Sequence, residues 1–383
     1  MISEPEANRF TALGLAISGM LALAVAMGVG RFAFTPILPM MQKDYGLTLR
    51  MAGLLASANY VGYFIGALSA IWIRARTATV VRFSLVAVAV LTGTMGLTQQ
   101  PLAWLVLRGI AGLVSAWTLI FVSAYILEQL AILGNRQLGG VVFSGVGFGI
   151  VLAGAACLLF LQLSWPADQA WIAVGAIALV LAFACWPGFH NATQSRTVTR
   201  ADASPLRSRS RMVVIVCYGI FGFGYIIPGT FLPAMAKQVI ADPAVFGWAW
   251  PIFGSAALVS TLMAGWLAAH LANRFIWASS HMVMAIGVAL PVFVPGMAGI
   301  VIAACCVGGT FMVATMTGMQ EARILAPDHA SRLMAAMTAA FGIGQIMGPL
   351  LVSLVADLQN GMNALLVGAS ALLLGSAAAL FRR

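Results

Sequence analysis

Apolar residues run along this chain in long unbroken stretches, and most of the charge sits in the gaps between them. The runs cover residues 10–38, 48–73, 77–98, 101–127, 137–163 and 168–187. They resume at 212–238, 243–269, 275–295, 297–322, 331–356 and 361–381. Each is close to the roughly 20 apolar residues that a helix needs to cross a bilayer. Strands of a membrane barrel would alternate apolar and polar positions, so continuous runs predict helices. The expected fold is an all-α membrane protein of twelve transmembrane helices, with the lipid bilayer as its solvent. Residues 188–211 form the long polar stretch of the chain and read as a flexible basic linker. It divides an N-terminal six-helix bundle, 1–187, from a C-terminal six-helix bundle, 212–383.

The two halves repeat. Residues 28–43, GVGRFAFTPILPMMQK, align with 222–237, GFGYIIPGTFLPAMAK, at a shift of 194. Gly28, Gly30, Leu38, Pro39, Met41 and Lys43 then fall on Gly222, Gly224, Leu232, Pro233, Met235 and Lys237. Leu138, Gly147 and Gly149 match Leu333, Gly342 and Gly344 at a shift of 195. Copies separated by an even number of helices are parallel, an arrangement suited to holding a solute between them at mid-membrane.

Composition strengthens the membrane reading. The chain has 383 residues, 62% hydrophobic and 8% charged, too apolar for a water-soluble fold. Its 40 glycines suit helices that approach closely within lipid. The net charge of +10 is topological and does not suggest nucleic-acid binding. With a cytoplasmic N-terminus, fifteen basic residues lie on the cytoplasmic side, and Lys43, Arg50 and Lys237 on the other. That bias predicts both termini inside. The first run is too long for a signal-peptide core and reads as a retained helix. Five cysteines lie in apolar runs without metal-ligand spacing. No metal, cofactor or nucleic-acid partner is expected, and a monomer is.

The six-plus-six arrangement, the basic linker and Arg108-Gly109-Ile110-Ala111-Gly112 in the fourth helix together resemble the major facilitator superfamily. Gly30-Arg31-Phe32-Ala33-Phe34-Thr35-Pro36, followed by Pro39, is similar to the bacterial YbfB/YjiJ-type branch. The chain departs from the superfamily pattern at Ala70, where an aspartate is usual, and the fifth helix lacks the usual proline. The resemblance implies alternating-access transport in a bacterial cytoplasmic membrane. It also implies a proton-coupling role for Arg108 as the rival to solute binding.

Arg31 and Arg108 each lie about seven residues from the outer end of a predicted span, roughly 10 Å deep. A charge at mid-membrane costs about 2.5–3.5 kcal/mol on insertion scales, so both should face protein or water. Two arginines at one level can clamp a carboxylate, sulfonate or phosphate, or cap carbonyls at broken helices. Helical spacing places Phe34 with Arg31, and Asn59 with Tyr63. Tyr225 occupies the position of Arg31 in the second repeat, and Gln345 is a further polar lining candidate. Pro36, Pro39, Pro228 and Pro233 should loosen the first and seventh helices where gating motion would occur. No Asp or Glu falls in the middle of a span, which disfavours a cationic solute; Glu128 and Glu321, at inner helix ends, are the carboxylate candidates for proton coupling. His281 is expected to be structural, and Trp248 and Trp250 to pack or anchor.

The expected function is secondary active transport of a small polar or amphipathic anion, linked to protons. The alternatives are efflux of neutral or amphipathic compounds and a membrane sensor built on a transporter fold. A membrane enzyme is disfavoured because no HExxH or Ser-His-acid set lies in the spans, and nucleotide-driven transport because no GxxxxGK[ST] occurs.

Overall fold

The computed structural model describes residues 11–189, 209–240, 242, 246–326 and 330–382. The expected linker lies outside the described residues from 190 to 208. The described chain is helical, with no strand. The helices are α1 (Ala12–Tyr45), α2 (Leu49–Ser69), α3 (Thr77–Thr94), α4 (Pro101–Ile132), α5 (Gly139–Gln162) and α6 (Ala167–Cys185). The second set is α7 (Arg209–Val239), α8 (Ala249–His270), α9 (Asn273–Phe293), α10 (Met297–Leu325), α11 (Ala330–Val355) and α12 (Gly361–Phe381). Eleven are long and apolar enough to cross a membrane; α8 has a shorter apolar stretch, Ala249–Ala264.

The ends of α1, α3, α7 and α11 and the starts of α2, α6 and α12 gather on one side, called here the Tyr45 face. Asp44 Oδ2 accepts from the Ala167 amide at 2.7 Å there, tying the end of α1 to the start of α6. The Tyr45 and Trp104 rings meet at 5.5 Å on the same face. The opposite side is the linker face.

Two features of α1 differ from the expected span of 10–38. First, the helix runs on to Tyr45 and stops at Gly46, whose left-handed backbone (φ 63°) caps it by donating to the Met41 carbonyl. Hydropathy ends the span early because Gln42, Lys43 and Asp44 are polar, yet Met40 and Met41 remain buried by protein. Arg31 is therefore 14 residues from the end of α1, about 21 Å at 1.5 Å per residue, and the last turn carries the exposed Lys43 and Asp44. Second, α1 is broken. Ala24–Val29 form a π-helical stretch, and regular helix resumes only at Phe34. By contrast α7, with Pro228 and Pro233 inside it, stays helical throughout.

The repeated glycines mark equivalent helix crossings. A Cβ built on Gly28 would lie 2.3 Å from the Gly149 Cα, where α1 crosses α5. At the matching crossing of α7 and α11, a Cβ on Gly344 would lie 2.3 Å from the Gly219 carbonyl oxygen. The pair Gly147 and Gly342 joins the halves: Gly147 abuts Leu258 of α8, and Gly342 abuts Phe64 of α2. At Gly28, Gly344 and Gly147 the neighbour is backbone, so the helices close to van der Waals contact, while Gly342 makes room for the Phe64 ring.

Hydrogen bonds that join the first six helices to the last six include those of Thr35, Tyr60, Ser57 and Lys237. Thr35 Oγ1 donates to the Gly229 carbonyl at 3.2 Å, and the Tyr60 hydroxyl pairs with Thr230 Oγ1 at 3.0 Å. Ser57 Oγ donates to the Ile346 carbonyl at 3.3 Å, and Lys237 Nζ to the Pro39 carbonyl at 2.7 Å. Thr35 and Gly229 are repeat equivalents at the shift of 194, so α1 and α7 cross there near the pseudo-twofold axis. Pro233 has no N–H to offer the Gly229 carbonyl four residues back, and the Thr35 hydroxyl takes that place.

Candidate functional site

The break in α1 builds the site. A π-helical stretch shifts hydrogen bonds from four residues back to five: Gly30 donates to Val25 and Phe32 to Met27, at 2.9 and 3.2 Å. Thr35 then turns back to the Phe32 carbonyl at 3.1 Å. Arg108, arriving on α4, caps the exposed backbone. Its Nη1 donates to the Gly30 carbonyl at 3.1 Å, and its Nη2 to the Arg31 carbonyl at 3.0 Å. Inside a membrane protein a carbonyl without a partner is expensive, so a forked, permanently charged donor is well suited to this role.

Arg31 is held differently. It is only 2% exposed. Its guanidinium carbon lies 4.3 Å from the Tyr63 ring centre, 4.8 Å from that of Tyr60 and 5.4 Å from that of Phe32. The rings supply cation–π attraction, worth about 0.5–2 kcal/mol each. Nε and Nη2 are buried with no hydrogen-bond partner. These two nitrogens form the side edge of the guanidinium, whose parallel N–H bonds match the two oxygens of a carboxylate.

The clamp expected of two arginines is thus divided: Arg108 is committed to α1 backbone, and Arg31 keeps a free edge. Phe34 packs under Arg108, ring centre 5.1 Å from its guanidinium carbon, and not beside Arg31. Asn59, fully buried, donates Nδ2 to the Arg108 carbonyl at 2.9 Å and ties α2 to α4. Its neighbour Tyr60, absent from the sequence-based candidates, faces Arg31 together with Tyr63. Tyrosines three apart on the helix following a buried arginine were the available signal.

Across the interface stands an aromatic wall from the second half. Tyr225 is stacked between Phe311, at 5.5 Å and 4°, and Phe341, at 5.7 Å and 10°. Gln345 Nε2 donates to the Tyr225 hydroxyl, while Gln345 Oε1 and Trp250 Nε1 are buried without partners. Phe32 bridges the halves, 6.1 Å from Trp250 and 6.5 Å from Phe311. Arg31, Tyr63, Tyr225 and Gln345 therefore belong to one central region. Trp248, half exposed, lies outside it.

The remaining candidates are elsewhere. Glu128 is exposed near the end of α4. Glu321 is 7% exposed and faces Arg274 at 3.9 Å, within the second half. Pro36 and Pro39 follow the break in α1. His281 accepts from Trp277 Nε1 at 2.8 Å and meets Ser376 Oγ at 2.9 Å. Indole only donates, so Nε2 is unprotonated and the ring is a neutral structural link. Surface recesses along α7 and α12, and at the Tyr45 face near Leu49 and Gln238, do not include Arg31 in their linings.

Comparison with solved structures gives the fold class. The nucleoside transporter NupG, crystallised as a point mutant, superposes with a TM-score of 0.72 at 15% identity, over 97% of this chain and 100% of that one. A bacterial homologue of the human lysosomal transporter Spinster, inward-facing and unoccupied, gives 0.68 at 14% identity, over 97% and 95%. No curated protein matches the chain. The molecule is a multi-pass membrane transporter of the major facilitator fold. Residues 23–380 match the family described as uncharacterised MFS-type transporter YbfB, and the chain belongs to that family.

Proposed function

We propose that this protein is a secondary active transporter that moves a small polar or amphipathic anion by alternating access. The observation that carries this reading is the Nε–Nη2 edge of Arg31, buried and without a partner. A buried charge lacking a counter-charge lowers stability unless something else uses it. A solute carboxylate fits that edge and neutralises it. Glu321 is the one acidic side chain among the buried described residues, and its contact is Arg274, so a cationic solute finds no free carboxylate near the centre.

In this reading the basic-residue bias puts both termini on the cytoplasmic side of a bacterial inner membrane, and the protein works as a monomer. The Tyr45 face is then the outer one, where Lys237 meets Pro39, and Thr35 and Tyr60 join the halves deeper, between that face and Arg31. Of the carboxylates, Glu321 is better placed than Glu128 to carry a coupled proton, because burial favours its neutral form and Arg274 is at hand to meet the charge when the proton leaves.

Proteoliposome counterflow with a panel of organic acids, with and without an imposed pH gradient, tests the proposal. Wild type should exchange at least one acid, and Arg31→Gln should abolish its binding. Glu321→Gln should keep counterflow but lose the response to the pH gradient. Unchanged affinity in Arg31→Gln would favour the second reading, efflux of neutral amphipathic compounds, which the aromatic wall also supports.

A further inference from the structure

We infer that the preferred solute is a monovalent anion with a flat aromatic body, a planar monocarboxylate of about the size of a benzoate. The inference rests on the anion reading above and adds the number of charges and the shape of the remainder.

The charge count comes from the donors. Arg31 and Arg108 are the basic side chains among the buried described residues. Both terminal nitrogens of Arg108 are occupied by the Gly30 and Arg31 carbonyls. Lys237 is engaged with Pro39 at the Tyr45 end of the bundle. Arg108 Nε is also buried without a partner, but its neighbour Nη2 is taken; only Arg31 keeps both nitrogens of one edge, Nε and Nη2, unoccupied, and that edge matches one carboxylate. A second anionic group on the solute would enter a low-dielectric site with no cation to meet it.

The shape comes from the rings. Phe32 contacts Arg31 on its own side and reaches Phe311 and Trp250 across the interface. Behind them Phe311, Tyr225 and Phe341 form a nearly parallel stack, continued by Phe253 against both Phe311 and Trp250. In the closed state these rings fill the space around Arg31. When the halves separate, the Phe32 contacts to Phe311 and Trp250 break and their faces become free. A planar ligand restores the lost stacking, whereas a puckered ring of the same charge and volume does so poorly. Trp250 Nε1 and Gln345 Oε1 are a free donor and a free acceptor at the same wall, which suits a hydroxyl or carbonyl substituent on the ring.

The test uses purified full-length protein. Thermal unfolding is measured against benzoate, cyclohexanecarboxylate, phthalate and benzyl alcohol, and counterflow of labelled benzoate is measured in proteoliposomes. Benzoate should protect at concentrations about tenfold lower than cyclohexanecarboxylate, the order expected for aromatic stacking. Phthalate and benzyl alcohol should protect weakly or not at all. Phe311→Leu and Phe341→Leu should shrink the benzoate preference while leaving cyclohexanecarboxylate unchanged.

Equal protection by benzoate and cyclohexanecarboxylate, lost in Arg31→Gln, would overturn the aromatic inference and leave anion transport standing. Benzyl alcohol matching benzoate, or benzoate binding unchanged in Arg31→Gln, would overturn both. Arg31→Lys serves if the glutamine variant fails to fold, because lysine keeps the charge without the two-pronged edge. No response to any of the four probes also overturns the inference.

Discussion

At the residue scale, two buried arginines on neighbouring helices have different relations to stability. Arg108 satisfies two carbonyls that the break in α1 leaves without helical partners. Arg31 keeps an edge without a partner. Arg108→Met should therefore cost about 3 kcal/mol, since each stranded carbonyl costs about 1–3 kcal/mol. Arg31→Met should cost less than Arg108→Met, because removing a buried charge offsets the lost cation–π contacts to Tyr63, Tyr60 and Phe32. Unfolding in detergent measures both, and an equal loss in the two variants would refute the division of roles. If Arg31 binds the solute as proposed, replacing it separates binding from folding, which replacing Arg108 cannot do.

At the element scale, the arginine-glycine motif of α4 acquires a packing explanation. A Cβ on Gly112 would lie 1.9 Å from the Asn59 carbonyl oxygen, and one on Gly62 would lie 1.8 Å from the Gly109 carbonyl oxygen. α2 and α4 are therefore in backbone contact, and this contact aligns Asn59 with the Arg108 carbonyl. Gly112→Ala should destabilise by about 1–3 kcal/mol, the usual cost of overpacking, and should loosen Arg108 from α1. A lower melting temperature with weaker acid binding is the expected result; an alanine variant with wild-type stability would contradict the contact. Gly109 and Gly112 were legible in the sequence as part of the arginine-glycine motif. Which helix each would touch was not, because contact depends on how distant spans cross.

At the scale of the whole molecule, the halves are joined by close packing of α5 on α8 and of α2 on α11, by a bridging ring and by hydrogen bonds, and in the proposed reading the interface opens. Thr35→Val with Thr230→Val removes the hydroxyls that meet the Gly229 carbonyl and the Tyr60 hydroxyl. Each such hydrogen bond contributes about 0.5–1.5 kcal/mol, so the double variant should raise the population open at the Tyr45 face about tenfold. A single cysteine at position 63, in a background without the five native cysteines, should then react faster with an impermeant thiol reagent added from that side. An unchanged rate would mean that these bonds do not hold the closed state.

Twelve apolar runs, the internal repeat and the placement of Arg31 and Arg108 within spans were all determined by the sequence. Hydropathy and spacing report how each segment partitions into lipid, and that depends on local composition. The extension of α1 to Tyr45, the pairing of Tyr60 with Tyr63 around Arg31, and the wall of Phe311 and Phe341 were decided only by tertiary structure. So was the difference between the arginines. Each guanidinium has the same chemistry, and which of its N–H groups finds a carbonyl depends on where one helix breaks and another crosses it.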